Sequence, residues 1–134
     1  MSSTSPTART LALLRQAGYL AEVVEKRLPK CFITRDLFGC IDVLAVRAGE
    51  VLGIQCTSGS NVAARLSKAL DTPQLRTWLA AGCGFEVWGW RKSKRSGKWE
   101  LTRRSLTIQD IPSAHFPLAN ATAQNVADGN DTKG

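Results

Sequence analysis

The stretch that decides the fold is residues 35–61, RDLFGCIDVLAVRAGEVLGIQCTSGSN. Residues 41–46 and 51–57 predict two strands joined by a tight turn, because both runs are apolar and rich in β-branched residues. Each strand nevertheless carries a polar side chain, Asp42 in the first and Gln55 in the second. A buried polar group is costly unless it has a partner. A divalent cation is one such partner.

The second strand has two predicted faces. Side chains alternate along a strand, so Gln55 and Thr57 share one face, while Cys56 lies on the opposite, apolar face. The turn before this strand is the small-residue run 48–50, and residues 58–61 form a second turn that precedes a helix. Gln55 and Thr57 therefore project together.

Outward from this hairpin, the chain predicts an α/β domain. The N-terminal half contains a polar, disordered lead-in (1–7), an amphipathic helix (8–17, with Thr7 as its N-cap), a strand (19–26) and a loop around Pro29 (27–34). The C-terminal half contains a helix from Val62 to Leu70, a second helical piece after Pro73 (74–81), a strand (85–90), a basic hairpin tip (91–98), a return strand (from 99) and a disordered tail (117–134). A block of strands followed by a helix that crosses to a further strand predicts a mixed central sheet flanked by helices, in a single domain over 8–116 with a C-terminal β-hairpin.

Composition narrows the class of function. The 134 residues carry a net charge of +7, which favours an acidic partner, nucleic acid being the commonest. Four cysteines without a C-x-x-C pair and a single histidine, His115, make a zinc finger or ribbon unlikely. The start of the chain has no signal-peptide pattern and no apolar run is long enough to span a membrane, so a cytoplasmic protein with reduced thiols is expected.

The chain has the order helix–strand–strand–strand–helix–strand, with Asp42 in one hairpin strand and the polar pair Gln55-x-Thr57 at the end of its neighbour. This arrangement resembles the PD-(D/E)xK nuclease superfamily. The residues that carry the resemblance are Glu25, the IDVLA run around Asp42 and the GIQCTS run around Gln55, within residues 8–92. The resemblance is to small resolvase-like and restriction-endonuclease-like members. It implies a restriction-endonuclease-like core of order αβββαβ.

The resemblance also implies a metal site. In that family an Asp and a Glu, sometimes Gln, hold Mg²⁺ or Mn²⁺, and a Lys two residues later activates water. Carried over to this chain, Asp42 and Gln55 match the two ligand positions and Glu25 matches the additional acid of many members. Thr57 stands where the family has its Lys. Since Gln is neutral, the site has one negative charge fewer than a D…ExK site, and weaker metal affinity is expected.

The missing lysine leaves three alternatives. Lys68 lies on the helix that follows the Gln55 strand, and relocated lysines of this kind occur in the family. Lys26 is next to Glu25, although strand alternation turns it to the opposite face. In the third alternative no lysine substitutes, and the domain is catalytically weak or inactive.

Every candidate ligand also has a purely structural interpretation. Asp42 would then pair with an arginine, Gln55 would be a buried amide, and Glu25 would be a surface acid beside Lys26. For Asp36, which precedes Leu-Phe-Gly, a turn or capping role is favoured over an outer-sphere metal role.

The basic segment is the second functional signal. Residues 91–104 contain seven lysines and arginines and one acid, and four tryptophans lie in or near this segment. Such a hairpin tip suits a phosphate backbone and predicts salt-sensitive binding, whereas the tryptophans are interpreted as core. The predicted DNA-binding residues are Arg65, Arg91, Lys92, Lys94, Arg95 and Lys98.

Two hypotheses follow. The first is a Mg²⁺- or Mn²⁺-dependent endonuclease acting on DNA, structure-selective like a Holliday junction resolvase or of phage or mobile-element type, and acting as a homodimer. Its catalytic residues are Asp42, Gln55, Glu25, Thr57 and Lys68. The second is a nuclease-like fold that has lost its chemistry and serves as a DNA-binding or assembly module. An RNA substrate is a weaker third hypothesis, because the sequence has no single-strand recognition motif.

Overall fold

The computed structural model of the protein describes residues 4–28 and 33–111. Its helices are α1 (Pro6–Gln16), α2 (Val62–Leu70) and α3 (Pro73–Ala80). Its strands are β1 (Leu20–Val23), β2 (Lys26–Leu28), β3 (Ile33–Arg35), β4 (Val43–Arg47), β5 (Glu50–Ser58), β6 (Gly84–Lys92) and β7 (Trp99–Leu106).

Five strands form one mixed sheet in the order β1-β4-β5-β6-β7. The β5–β6 pair is parallel, because the chain crosses over through α2 and α3 between them, and the other neighbours are antiparallel. Strands β2 and β3 pair with each other outside this sheet. The predicted α/β class with a mixed sheet flanked by helices is confirmed.

The central hairpin forms as predicted, with slightly different strand limits. Gly49 has a φ of 75° in the turn, a conformation that glycine adopts without steric cost. Strand β4 begins at Val43, so Asp42 lies one residue before it rather than inside it. The backbone N–H of Asp42 still donates to the carbonyl of Ile54 at 2.9 Å, so Asp42 continues the pairing.

Each face of the sheet has its own hydrophobic core. On one face α1 packs through Leu14, with Val43, Ile54 and Trp88 among the buried residues. On the other face, α2 and α3 cover a second hydrophobic cluster. Its buried residues are Cys40, Ile41, Val62, Ala69, Leu75, Phe85, Val87 and Ile111. The sheet is therefore a middle layer between helices, and side chains of alternate residues belong to different cores.

The N-terminal region differs from the prediction in its boundaries. Helix α1 begins at Pro6, within the predicted lead-in, and Ser5 rather than Thr7 is its N-cap. The side chain of Ser5 accepts a hydrogen bond from the N–H of Ala8 at 3.1 Å. Proline suits the first helical turn because its missing N–H would have no partner there.

The predicted strand over 19–26 is divided, and the predicted loop over 27–34 contains strands. Strand β1 ends at Val23, and β2 starts at Lys26, so Glu25 lies in the short link between them. The backbones of β2 and β3 pair in antiparallel register, with Lys26 opposite Arg35. The sequence pattern missed this pair because both strands are only three residues long and lack an apolar alternation.

The C-terminal hairpin forms as predicted, and its first strand, β6, extends beyond the predicted limits of 85–90 to Gly84–Lys92. Strand β7 runs to Leu106 and is followed by a 3₁₀ turn over Ile108–Asp110, after which Ile111 is buried. The predicted tail over 117–134 and His115 lie outside the described residues. Within the described part of the chain, no helix is long and apolar enough to cross a membrane.

Candidate metal centre and nucleic-acid surface

Asp42 occupies the edge where β4 stops pairing with β5. Its side chain is 5% exposed, and its Oδ2 accepts a hydrogen bond from the backbone N–H of Cys56 at 2.9 Å. The carboxylate thereby satisfies an amide of β5 that lies beyond the last residue of the β4 ladder. The predicted pairing of Asp42 with an arginine does not occur through Arg47, whose guanidinium binds Glu50 at 3.0 Å.

Gln55 lies beside Asp42 on the neighbouring strand and is 3% exposed. Its Nε2 donates to Oδ2 of Asp42 at 2.9 Å and to Oδ2 of Asp36 at 3.1 Å. Since both partners are carboxylates, the amide nitrogen faces them and the amide oxygen faces away. The Gln55 amide would therefore need to turn over to offer its oxygen to a cation at this place.

Glu25 and Asp36 complete a cluster of three carboxylates with Asp42. One oxygen of each side chain lies within 4.8 Å of the others. The three residues come from separate parts of the chain: the β1–β2 link, the end of β3 and the start of β4. We call these three residues with Gln55 the carboxylate cluster.

The donor set of the carboxylate cluster fits a hard divalent cation. Mg²⁺, Mn²⁺ and Ca²⁺ prefer oxygen ligands at about 2.0–2.6 Å, so one ion can bridge oxygens that are up to about 5 Å apart. Asp42 and Asp36 are held by Gln55, and Asp42 is held further by a backbone N–H, which orients their carboxylates. The predicted metal residues Glu25, Asp42 and Gln55 are thus brought together in one place.

The electrostatics of the carboxylate cluster also favour a cation. Burial, and after it a hydrogen bond with Asp36 and the charge of Asp36, raise the pKa of Asp42 to about 7. The N–H of Cys56 and the amide of Gln55 act in the opposite direction. Like-charged carboxyls in a buried site hold a proton near neutral pH unless a cation replaces it.

Asp36 is the ligand candidate that sequence reasoning assigned to a different role. Its backbone carbonyl does accept the turn N–H of Gly39 at 3.1 Å, as the turn interpretation requires. Its side chain, however, points to Gln55 and Asp42. The position is set by the β2–β3 pair, which the sequence did not predict, so no local signal placed Asp36 beside the hairpin.

Thr57 lies on the same strand as Gln55, whereas Lys68 lies on helix α2. Thr57 is buried on the Gln55 face of β5 and has no charge to contribute. Lys68 is exposed on α2, and its ammonium lowers the pKa of Cys40, which Asp36 and Asp42 raise. Lys68 therefore lies within electrostatic range of the same neighbourhood, and among the described residues it forms no ion pair.

The described cysteines near the site are protonated at neutral pH. Burial raises the pKa of Cys40 to about 11 and that of Cys56 to about 12. A thiol is a weak nucleophile and a poor metal ligand in this form. Nucleophilic catalysis by these two residues is therefore disfavoured.

The basic segment forms a hairpin tip at the far end of β6 and β7. Lys92, Lys94, Arg95 and Lys98 are exposed and form no ion pair within the described chain, whereas Arg91 lies 3.7 Å from Glu100. The tip encloses an open groove of about 570 Å³. We call residues 91–98 the basic tip.

The basic tip and the carboxylate cluster lie along the same strands. Gln55 is paired with Val87 on β6, and Lys92 is five residues further along that strand. At about 3.3 Å per residue, Lys92, the first cation of the basic tip without an ion pair among the described residues, lies roughly 16 Å along β6 from the residue paired with Gln55, which is about five base pairs along a DNA duplex. The sixth predicted DNA-binding residue, Arg65, is half-buried on α2 and not part of the tip.

The tryptophans are mainly structural, as predicted. The indole N–H of Trp78 donates to the carbonyl of Gly84 at 2.7 Å, and that of Trp90 donates to Thr10 at 2.9 Å. Trp88 is buried, and Trp99 is 40% exposed with the guanidinium of Arg9 stacked 3.8 Å from its ring centre.

No protein-family model, curated protein or solved structure that was compared with this chain matches it.

Proposed function

We propose that this protein is a Mg²⁺- or Mn²⁺-dependent endonuclease that hydrolyses phosphodiester bonds of DNA. The observation that carries the proposal is the carboxylate cluster: three carboxylates with oxygens within 4.8 Å of one another, one of them nine-tenths buried. The charge of a bound cation would offset the cost of burying Asp42 beside the two other carboxylates. The resemblance to the PD-(D/E)xK superfamily gives the same cluster its reaction class.

Each residue of the site has a role in this proposal. Asp42, Asp36 and Glu25 would bind the cation through their carboxylates, and Gln55 would orient the first two. A bound Mg²⁺ or Mn²⁺ supplies charge stabilisation at the phosphate and lowers the pKa of a coordinated water. Lys68 would position the scissile phosphate from α2, since its charge reaches the neighbourhood of the cluster.

The basic tip supports nucleic acid as the substrate. Its unpaired cations lie about half a helical turn of DNA from the carboxylate cluster, so one duplex would contact both. Exposed lysines and arginines bind the phosphate backbone without reading sequence. The chain's charge of +7 acts in the same direction.

The proposal is tested by incubating plasmid, linear, branched and single-stranded DNA with the full-length protein and Mn²⁺ or Mg²⁺. Asp42→Asn is the matched variant, because Asn keeps the size of the side chain and can still accept from Cys56. We expect metal-dependent cutting that this variant loses by a factor of about a thousand or more. Equal cutting by both proteins would mean that the activity has another source.

The alternative is a DNA-binding module without chemistry, and the Gln55 and Thr57 substitutions favour it. Gln55 places an amide nitrogen, and not an oxygen, toward the two aspartates. This alternative predicts salt-sensitive DNA binding by both wild type and Asp42→Asn, with no cutting by either. The same experiment therefore separates the two functions.

A further inference from the structure

We propose that an aromatic pocket beside the carboxylate cluster binds one unpaired nucleobase of the DNA, so that the enzyme acts at strand junctions, bubbles or single-stranded segments. The pocket has a volume of about 420 Å³ and is lined mostly by apolar surface. Its lining residues are Phe38, Gln74, Thr77, Trp78, Ala81 and Cys83. The inference rests on the proposed nuclease function and specifies its substrate.

Phe38 is held in an unfavourable backbone conformation. It is the one non-glycine residue of the described chain with a positive φ, at 55°, and Gly39 follows at 80°. Leu37 and Ile41 close the tight turn around them through hydrogen bonds of 2.8 and 3.0 Å. Turns with two left-handed residues prefer Asn-Gly, and a bulky residue at the first position is strained.

The strain at Phe38 does not serve the folding core. The side chain is 47% exposed, so the turn holds an aromatic ring toward solvent. Strained residues that remain exposed are concentrated at binding and catalytic sites. A ring with one free face is the group that a nucleobase stacks on.

Trp78 extends the aromatic wall of the pocket and is fixed in place. Its indole N–H is bonded to the carbonyl of Gly84, and its ring centre lies 6.1 Å from that of Phe38 at an angle of 51°. The two tilted rings therefore contact each other, and together they form one aromatic wall of the open cleft. Gln74 and Thr77 at the edge of the cleft offer hydrogen-bonding groups for the edge of a base.

The pocket lies close to the carboxylate cluster. Phe38 is two residues after Asp36, so their Cα atoms are at most about 7.6 Å apart. The ring of Trp78 lies over Gly53, where an added Cβ would be 3.1 Å from it, and Gly53 is on the same face of β5 as Gln55. A nucleotide whose phosphate is at the cluster would therefore have its base near the cleft.

The neighbouring carboxylate cluster favours a nucleotide over an apolar peptide as the occupant, because a cation held there would bind the phosphate attached to the base. Lys68, exposed on α2, acts electrostatically on Cys40, two residues from Phe38, where Asp36 and Asp42 act in the opposite direction. Base stacking is tolerant of sequence, so the pocket predicts selectivity for unpaired structure and not for a base.

The test uses three DNAs of one sequence: a continuous duplex, the same duplex with an unpaired bubble, and the single strand. The fluorescent base 2-aminopurine replaces one base of the bubble, and binding is measured in EDTA with the full-length protein. We expect tighter binding of the bubble than of the duplex, and quenching of the probe as it stacks.

The informative variant is Phe38→Asn, because Asn accepts the left-handed conformation and the protein should melt at the same or a higher temperature. We expect this variant to lose about tenfold in affinity for the bubble, within the range of base–aromatic stacking, and to keep its duplex affinity within twofold. Phe38→Tyr keeps the ring and should keep the preference. Leu20→Ala, an exposed apolar residue on β1, is the matched control without effect.

Three results would overturn the pocket: a Phe38→Asn variant that binds the bubble like wild type, a probe that is not quenched, or a Phe38-dependent dimer without DNA in sedimentation. The cleavage assay with Mn²⁺ separates the two proposals. If wild type and Phe38→Asn cut duplex and bubble equally, the nuclease proposal is supported and the base-binding proposal is rejected. If neither protein cuts but bubble binding depends on Phe38, the nuclease proposal is rejected and the base-binding proposal is supported.

Discussion

The carboxylate cluster and the basic tip differ in how they are built. Asp42 and Gln55 are almost completely buried, and two hydrogen bonds to Oδ2 of Asp42 fix that carboxylate. The lysines of the tip are exposed and have no ion pair within the described chain. The geometry of the carboxylate cluster depends on strand register to within an ångström, whereas the basic tip depends only on its number of charges.

Under the proposed nuclease function, this difference separates chemistry from DNA binding. Chemistry requires groups that are pre-organised before the substrate arrives, and burial supplies that order at the cost of stability. Binding to a phosphate backbone requires charge that adapts to the duplex. Substitutions in the carboxylate cluster should therefore change the reaction much more than binding, and substitutions in the basic tip should do the reverse.

The largest expected effect in this comparison, apart from that of Asp42, is at Asp36. Asp36→Asn removes one of three carboxylates but keeps the size of the side chain. We expect metal-dependent cleavage to fall by at least about a hundredfold, because metal affinity and charge at the site are lost. DNA affinity in EDTA should change less than threefold.

Asp71→Asn, on the exposed end of α2, is the matched control for Asp36→Asn. Full activity in Asp36→Asn, with metal binding by calorimetry unchanged, would assign Asp36 to the turn alone.

Gln55→Glu should raise metal-dependent cleavage, by a smaller factor than Asp36→Asn lowers it. Gln55→Glu places a fourth carboxylate beside Asp36 and Asp42, so the protein in EDTA should unfold more readily. With Mn²⁺ the added oxygen and charge should strengthen metal binding by a few tens of fold, and cleavage should rise with it. Calorimetric titration with Mn²⁺ and urea unfolding in EDTA measure the two halves of this prediction.

Gln55→Met, which is similar in size and without hydrogen-bonding amide atoms, is the control for volume at this position. If Gln55→Glu weakened Mn²⁺ binding, the amide and not an oxygen ligand would be what the site requires.

The basic tip should show about a tenfold effect, and on binding alone. Replacing Lys94 and Arg95 together with Ala removes two exposed cations that form no ion pair among the described residues. DNA affinity near 0.1 M salt should fall about tenfold, and the slope of log K against log salt should become shallower by about 1.8. The cleavage rate at saturating DNA should stay within a factor of two.

Arg15→Ala, on the exposed surface of α1, controls for the loss of charge far from the tip. An unchanged salt slope for the double variant would remove the basic tip from the DNA interface.

The sequence predicted the basic tip fully and the carboxylate cluster only in part. The basic tip is a continuous run of sequence with a glycine turn, and so is the central hairpin, so local pattern sufficed for both. The closeness of Asp42 and Gln55 followed from strand alternation within that hairpin. Local order therefore predicted one half of the carboxylate cluster.

The other half depended on contacts that no local pattern encodes. Asp36 reaches the cluster because β3 pairs with β2, and Glu25 because the chain leaves β1 after Val23. The sequence predicted one uninterrupted strand over the residues around Glu25 and a loop over the residues that form β3. The orientation of the Gln55 amide was equally hidden, since it is set by two carboxylates and not by the residue itself.

The remaining prediction concerns pH and follows from Asp42 alone. Burial and the neighbouring Asp36 raise its pKa to about 7, whereas an Asp in the unfolded chain titrates near 4. Between these values the folded protein holds a proton that the unfolded chain has released. Without metal, the free energy of unfolding should therefore be highest below about pH 4 and fall as pH rises to about 7, by at most about 1.4 kcal/mol per pH unit.

Asp42→Asn is again the control, because it has no carboxyl to titrate at this position. Urea unfolding in EDTA at pH 5, 6, 7 and 8 should give a wild-type curve that falls relative to this variant. Mn²⁺ competes with the proton, so it should stabilise the wild type more at pH 8 than at pH 5 and leave Asp42→Asn nearly unchanged. Parallel curves for the two proteins would mean that the buried carboxyl is not the titrating group, and the electrostatic contrast with the basic tip would fail.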